Sequence, residues 1–241
     1  MRTLIVGASG ATGSRLINAM LTKQQAIRIV IRPSSIVKTH ILDNPLVDVV
    51  YGEVLRFNEQ QMTSLVRGCD AIVSCLGHNM TFKGMYGGPR QLVTDSCAAL
   101  VKAVELLKPQ KSVKFVLMNT SGNRNKLAGE TVSLAHRLMI AVIRKLVPPH
   151  ADNENAANYL QANLGIQNNY IQWVVVRPDS LTDEDSVSPY ELYESPVRDA
   201  LFDAGKTSRI NVANFMYRLI NEPELWQKWK FQMPLIYNAG Q

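Results

Sequence analysis

Short apolar runs alternate with longer stretches of helical period along most of the chain. The runs at 3–6, 27–31, 47–51, 71–75, 113–118 and 171–176 are mostly Val/Ile-rich and nearly continuous in hydrophobicity. Strands covered on both faces read this way, whereas a strand with one wet face alternates apolar and polar positions. Between the runs, residues 14–22, 59–66, 90–107 and 153–163 place apolar residues at helical spacing. Alternating strand and helix predict stacked βα units, an α/β fold built on a doubly wound parallel sheet.

Two stretches depart from that rhythm. A helix is expected over 134–147, where Leu138, Met139, Ile140, Ala141, Val142 and Ile143 surround too much of the axis for an ordinary surface helix. It reads as an insertion that packs on the domain or on a dimer partner, or else as a substrate lid or a membrane-surface contact. After Pro178 the alternation is lost, and Asp183, Glu184, Asp185, Ser186, Ser188 and Pro189 form a polar connection of the kind that carries substrate contacts. With no linker to separate the parts, 1–241 is expected to be one domain, with a core over about 1–178 and substrate-side elements over 179–241.

Composition narrows the class. With 46% hydrophobic and 19% charged residues among 241, the chain is neither disordered nor low-complexity, and it is long enough to bury a core. Charges interrupt every apolar stretch before a membrane span is reached, and the apolar run after Arg2 stops at Gly7, too soon for a signal peptide. Cys69, Cys75 and Cys97 are odd in number and form no C-x-x-C pair, so neither a disulfide framework nor a metal site is expected, and a cytoplasmic location is the default. The net charge of +6 comes without a run of five or six basic residues. No nucleic-acid partner is expected; local basic clusters facing an anionic ligand account for the excess.

That ligand is suggested by Gly7-Ala8-Ser9-Gly10-Ala11-Thr12-Gly13, which lies between the first strand and the first helix. Glycines there permit a tight turn, a close approach of backbone to a pyrophosphate and close packing of helix on strand. The helix N-terminus adds unpaired N–H groups for the anion. A Rossmann-type dinucleotide site is therefore expected, with Gly7, Ser9, Gly10, Ala11, Thr12 and Gly13 as its loop. After the second strand, where an NAD site offers an acid to the ribose hydroxyls, the chain has Arg32, Pro33, Ser34 and Ser35. Arg32, aided by Lys38, Ser9 and Thr12, suits a 2′-phosphate, so NADP(H) is expected in preference to NAD(H).

Further marks stand in register: Gly52-Glu53-Val54 after the third strand, Cys69-Asp70-Ala71 opening the fourth, Leu76-Gly77 closing it, Asn119-Thr120-Ser121 after the fifth and Val176-Arg177-Pro178 ending the sixth. With the glycine loop and Arg32, they resemble the atypical short-chain dehydrogenases/reductases, specifically the NAD(P)H-binding, NmrA-like group that includes flavin reductase/biliverdin reductase B. The resemblance implies that Glu53 and Val54 border the adenine, although the family usually has Asp at Glu53. It implies that Leu76 and Gly77 lie along the ribose and pyrophosphate, with His78 and Asn79 leading toward the nicotinamide. Pro178, with the backbone of 179–181, would pack on the nicotinamide and bond its carboxamide. Residues 207–213 resemble a late family element, a short strand leading into a helix beneath the substrate loop. Read without the resemblance, His78 is more simply an exposed loop residue and Arg177-Pro178 a strand terminator.

The usual acid of these enzymes is missing. No tyrosine has a lysine four residues on: Tyr86 is followed by Arg90 and Tyr159 by Asn163. Ser121, at the carboxyl end of the fifth strand, is the candidate donor to a substrate carbonyl, with Asn119 or Thr120 shaping the same wall. His150 is a second candidate acid, with Asp152 to orient or repel it; alternatively Asp152 or Asn153 caps a helix and His150 is exposed. Ser208 and Arg209 would brace the substrate loop or reach a ligand, and Trp226 and Trp229 would pack the C-terminal helix. These features imply an NADPH-dependent reductase of a carbonyl, quinone or flavin-like small molecule. A non-catalytic NADP(H) sensor of the NmrA-like type is the alternative, with an epimerase or dehydratase further behind. A homodimer is compatible with either.

Overall fold

The computed structural model describes residues 1–78, 86–130, 139, 147–199 and 203–240. Residues 134–138 and 140–146, which make up nearly all of the expected inserted helix, lie outside the described residues, as does Asn79. Eight strands form the main sheet in the order β3-β2-β1-β4-β5-β6-β10-β8. They are β1 Arg2–Val6, β2 Ala26–Ile31, β3 Val47–Tyr51, β4 Ala71–Ser74, β5 Val113–Met118, β6 Ile171–Pro178, β8 Tyr190–Tyr193 and β10 Leu235–Asn238. All pairings are parallel except β8 against β10. A second, two-stranded sheet joins β7 Ser180–Thr182 to β9 Lys206–Ser208.

The continuous apolar runs are explained by two cores, one on each side of this sheet. On one face, helices α3 Glu59–Val66, α4 Leu92–Leu107 and α5 Pro148–Tyr159 cover Leu4, Val6, Ile72, Phe115, Leu117, Trp173 and Val175. On the other, α1 Ala11–Thr22, α6 Arg209–Asn221 and α7 Pro223–Trp229 cover Ile5, Ile29, Val73, Val116, Val174 and Val176. Successive strand residues point to opposite faces, so both sets must be apolar. Trp226 and Trp229 are buried, at 2% and 1% exposed, and they close the second core. A short helix, α2 Thr39–Leu42, completes the set of labelled helices.

Local chemistry sets several boundaries. Asn58 and Gln61 form a reciprocal capping box at 2.9 Å each way, which starts α3. The Ser208 hydroxyl accepts from Asn211 N–H at 3.2 Å and starts α6 directly from β9. Four expected boundaries shift. Helix α1 begins at Ala11, because the glycine loop runs straight into it, and α4 begins at Leu92 while β4 stops at Ser74. Helix α5 begins at Pro148, five residues before the expected start, since proline at the first turn has no N–H to satisfy. Asp152 and Asn153 therefore lie inside α5, and neither is its cap. The helix then widens into a π turn over Leu160–Leu164.

Candidate functional site

The strand order reverses direction between β1 and β4, and open α/β sheets bind ligands at such a switch point, beyond the carboxyl ends of the strands. The loop after β1 and the loop after β4 touch there. Gly7 has φ +77, and a Cβ on it would lie 2.5 Å from the Cys75 carbonyl carbon. A Cβ on Gly13 would lie 2.3 Å from Gly7 O. Both positions require glycine for physical reasons, the first for backbone conformation and close approach, the second for packing of α1 on the loop. The N-cap of α1, Gly10, has no side-chain cap, so the helix N-terminus is free to meet an anion.

A cavity of about 350 Å³ opens over this cradle. Its wall contains Gly7, Ser9, Gly10, Arg32, Glu53, Val54, Leu76 and Gly77, eight of the expected cofactor residues, together with Val30, Ser35, Leu55 and His78. Ala11, Thr12, Gly13, Asn119 and Pro178 lie outside that wall. At its outer end Ser9 and Ser35 hydroxyls approach to 3.3 Å beside the exposed Arg32. Glu53, the one acid among the described residues of the wall, is already engaged by Arg56 at 3.0 Å. Glycine backbone, a helix N-terminus, hydroxyls and a guanidinium together suit a phosphorylated dinucleotide.

At the inner end, His78 is not an exposed loop residue. Its side chain is 5% exposed and its Nε2 lies 2.7 Å from Asp152 Oδ2. Asp152 also accepts from Val93 N–H at 2.8 Å, Thr94 N–H at 3.0 Å and the Thr94 hydroxyl at 2.7 Å. This carboxylate, reached from α5, is thus the missing cap of α4. Three donors of α4 converge on this carboxylate, and His78 Nε2 lies against the same oxygen that takes Val93 N–H. Asp152 orients His78, where the sequence suggested His150. The separation of 74 residues between the partners left no local signal.

Beyond β5 and β6 lies a second polar cluster. Asn119 is committed to the scaffold: its amide donates to Asn153 O at 2.8 Å, and its side-chain oxygen accepts from Thr120 N–H and from the Asn123 amide. Ser121 is buried, with its N–H on Pro178 O at 2.8 Å. Its hydroxyl lies beside the carboxyl of Asp179, whose Oδ2 accepts from Gly205 N–H at 3.0 Å. Burial pushes the Asp179 carboxyl above its ordinary value, against the lowering effect of these bonds and of Arg198. Sequence reading used Asp179 only for its backbone. His150 lies in the first turn of α5, and a Cβ on the neighbouring Gly122 would be 3.6 Å from its Cε1. Its Nδ1 is buried without a hydrogen-bond partner. The structure therefore brings His150 to the loop that carries Ser121.

One ion pair holds this loop to the sheet. The Arg177 and Glu130 side chains are 0% and 4% exposed and form two bonds, at 2.7 and 2.8 Å. Arg177 also donates to Met233 O at 2.6 Å, Asn123 O at 2.7 Å and Glu194 O at 3.3 Å. Arg177 is therefore more than the terminator of β6: its planar fork binds three further chain segments at one point, the loop after β5, the segment after β8 and the segment before β10. Ser208 and Arg209 are structural in the same sense. Ser208 caps α6, and Arg209 pairs with Asp183 at 2.9 Å, which also pairs with Arg15 of α1.

Comparison with known proteins agrees with this geometry. No curated protein sequence matches the chain. A short-chain dehydrogenase/reductase from Veillonella parvula DSM 2008, solved in complex with NADP, superposes with a TM-score of 0.71 at 17% identity over 99% of this chain and 95% of its own. ChuY, an anaerobillin reductase from Escherichia coli O157:H7, gives 0.70 at 18% identity over 100% and 98%. The oxidoreductase YlbE from Lactococcus lactis gives 0.68 at 18% over 99% and 91%. At these identities the likeness is one of fold, a Rossmann-like α/β sheet shared with atypical short-chain dehydrogenases/reductases. A family model described as NAD(P)H-binding matches residues 7–223, and the chain belongs to that family.

Proposed function

We propose that the protein is an NADPH-dependent oxidoreductase that passes hydride to a carbonyl, quinone or flavin-like small molecule. The observation that carries this reading is the shape of the switch-point cavity: a glycine cradle at one end, Arg32 with Ser9 and Ser35 at the other, and no unpaired acid among the described residues of its wall. An unpaired acid would favour the ribose hydroxyls of NAD(H), whereas Arg32 favours a 2′-phosphate. The NADP-bound Veillonella structure supports the same preference. Reduced nicotinamide, when bound, supplies the hydride; the chain supplies binding, orientation and a proton. On this reading 1–178 holds the cofactor and 179–241 builds the acceptor side. Leu76 and Gly77 line its path, Pro178 packs on the nicotinamide, and Ser121 and His150 flank the acceptor. ChuY, a structural neighbour described as an anaerobillin reductase, supports a conjugated acceptor.

The absence of a Tyr-x-x-x-Lys pair favours a second reading, an NADP(H)-binding sensor that performs no turnover. Calorimetric titration with NADPH and NADH, followed by absorbance of reduced nicotinamide in the presence of a quinone and a flavin, separates the two. Tight NADPH binding with oxidation is the expected result. Tight binding without oxidation selects the sensor, and no binding removes both readings.

A further inference from the structure

A carbonyl, quinone or flavin acceptor needs a proton for each hydride it receives, and the tyrosine-lysine pair that would supply it is absent. Among the described residues, the wall of the switch-point cavity holds one imidazole, His78, on the loop after β4. Strand order fixes which part of a dinucleotide it faces. β1, which leads into the glycine cradle, lies between β2 and β4; Arg32 follows β2 and His78 follows β4. A dinucleotide with its pyrophosphate on the cradle and its 2′-phosphate at Arg32 carries its nicotinamide half to the β4 side, toward His78.

The ring is held through one nitrogen. His78 Nε2 lies 2.7 Å from Asp152 Oδ2, and the two side chains are 5% and 0% exposed. The cap of α4 does not need this contact. Asp152 Oδ2 already takes Val93 N–H at 2.8 Å, and Oδ1 takes Thr94 N–H at 3.0 Å and the Thr94 hydroxyl at 2.7 Å. The imidazole occupies acceptor capacity that the helix leaves over. Asp152 is itself fixed from two sides, by α4 and by the end of β5, since the Asn119 amide donates to the adjacent Asn153 O at 2.8 Å. Among the described residues, His78 Nδ1 has no hydrogen-bond partner.

Few other ionisable groups surround the pair. The described wall of the cavity adds Arg32 and Glu53, on the side of β2 and β3, and Cys75. Burial pushes the Cys75 thiol up to about 12. Burial, followed by the charge of Asp152, also pushes up the thiol of Cys97 in α4. Both thiols stay protonated and neutral near pH 7, so among these groups Asp152 is the charge in contact with the His78 ring.

We infer that His78 is the proton donor of the reduction and that Asp152 is its positioning residue. The inference rests on the reductase reading and deepens it. The acceptor carbon, or the position that plays that part in a flavin or quinone, receives hydride with its electron pair from the reduced dinucleotide, which is thereby oxidised. The electron pair of the acceptor's double bond moves to its heteroatom, and that atom takes the proton of His78 Nδ1. One N–H bond breaks at the ring and one O–H or N–H bond forms on the acceptor. The ring ends neutral, with Nε2–H kept against Asp152, and solvent returns a proton to Nδ1 before the next cycle. Asp152 favours the doubly protonated ring and fixes which nitrogen is emptied.

Nitrogen NMR of the His78 ring in the whole, cofactor-free protein reads the couple without turnover. Nε2 should stay protonated while Nδ1 gains and loses its proton with pH. Asp152→Asn should move that titration to lower pH, because a negative charge beside the ring is removed. A ring protonated at Nδ1 with a bare Nε2, or a titration unmoved in Asp152→Asn, overturns the proposal. With NADPH and a quinone, the single-turnover rate of the natural protein should fall as pH rises through the same titration. His78→Gln, which keeps a donor for Asp152, should slow that rate about 100-fold, on the scale of general acid catalysis, and flatten the pH profile while NADPH affinity holds. Should this variant not fold, His78→Ala with added imidazoles carries the test, and the restored rate should follow the pKa of the imidazole supplied, as a space-filling role would not. Rate and pH profile unchanged in His78→Gln would remove the proton donor and leave the reductase standing. NADPH binding with no acceptor reduced by the natural protein would remove both.

Discussion

The two halves of the sheet build their sites from different materials. On the side of β1 to β4, the cavity is a backbone object: glycines at 7 and 13 bring main chain against main chain, and the uncapped N-terminus of α1 supplies donors. On the side of β5, β6 and β10, buried side chains do the same work, with Arg177 and Glu130 pinning a loop and Ser121, Asp179 and Gly205 forming a connected cluster. A backbone site is written in contiguous residues whose spacing survives as a motif. A side-chain site is assembled from residues about 50 positions apart and has no contiguous signature.

The difference can be broken most severely at Glu130. Glu130→Ala leaves the fully buried Arg177 guanidinium without its counter-ion, and should cost about 3–5 kcal/mol in chemical denaturation. Arg177→Met with Glu130→Gln should recover much of that loss, since no buried charge remains unpaired. The backbone half is tested through its ligand instead. Arg32→Ala should weaken NADPH by about 1.5–3 kcal/mol, the worth of a charge-assisted bond, while NADH is little affected; calorimetry on both decides it. Equal losses would remove the 2′-phosphate assignment.

Asp152 lies on the border, since it joins α5 to α4 and to the cavity residue His78. Asp152→Ala should cost about 1–2 kcal/mol, as removal of a helix cap does, and should expose the first amides of α4 to faster hydrogen exchange. The smallest effect concerns Asp179. Its carboxyl is raised in the folded protein, so the native state binds more protons than the unfolded chain between the ordinary and the raised value. Stability from this group therefore falls as pH rises across that window. Asp179→Asn should be slightly more heat-stable than the natural protein at neutral pH, and thermal melts should converge at acid pH, below the ordinary carboxylate range.

Much of the architecture was legible because burial on two faces leaves its mark on every strand. The six expected strands match β1 to β6 to within two residues at each end. The glycine loop was legible for the same kind of reason, since one local conformation demands those residues. The strands beyond β6 were less so: β8 and β10 are four residues long and fall after Pro178, where the βα alternation that marks the short β4 is lost. Asp152 is expected from sequence to orient or repel His150, or else, it or Asn153, to cap its own helix; it caps a different helix and meets His78 because α5 begins at Pro148.

What the sequence determined by itself was the βα rhythm, the anion cradle and the absence of a tyrosine-lysine pair. Each is a property of neighbouring residues, fixed by backbone sterics or by the two-residue and 3.6-residue periods of side-chain direction. Tertiary structure alone decided which buried polar groups meet. A buried donor or acceptor must find a partner wherever the fold supplies one, so Asp152 went to His78 and α4, Glu130 to Arg177, and the Asp179 carboxyl to Ser121 and Gly205.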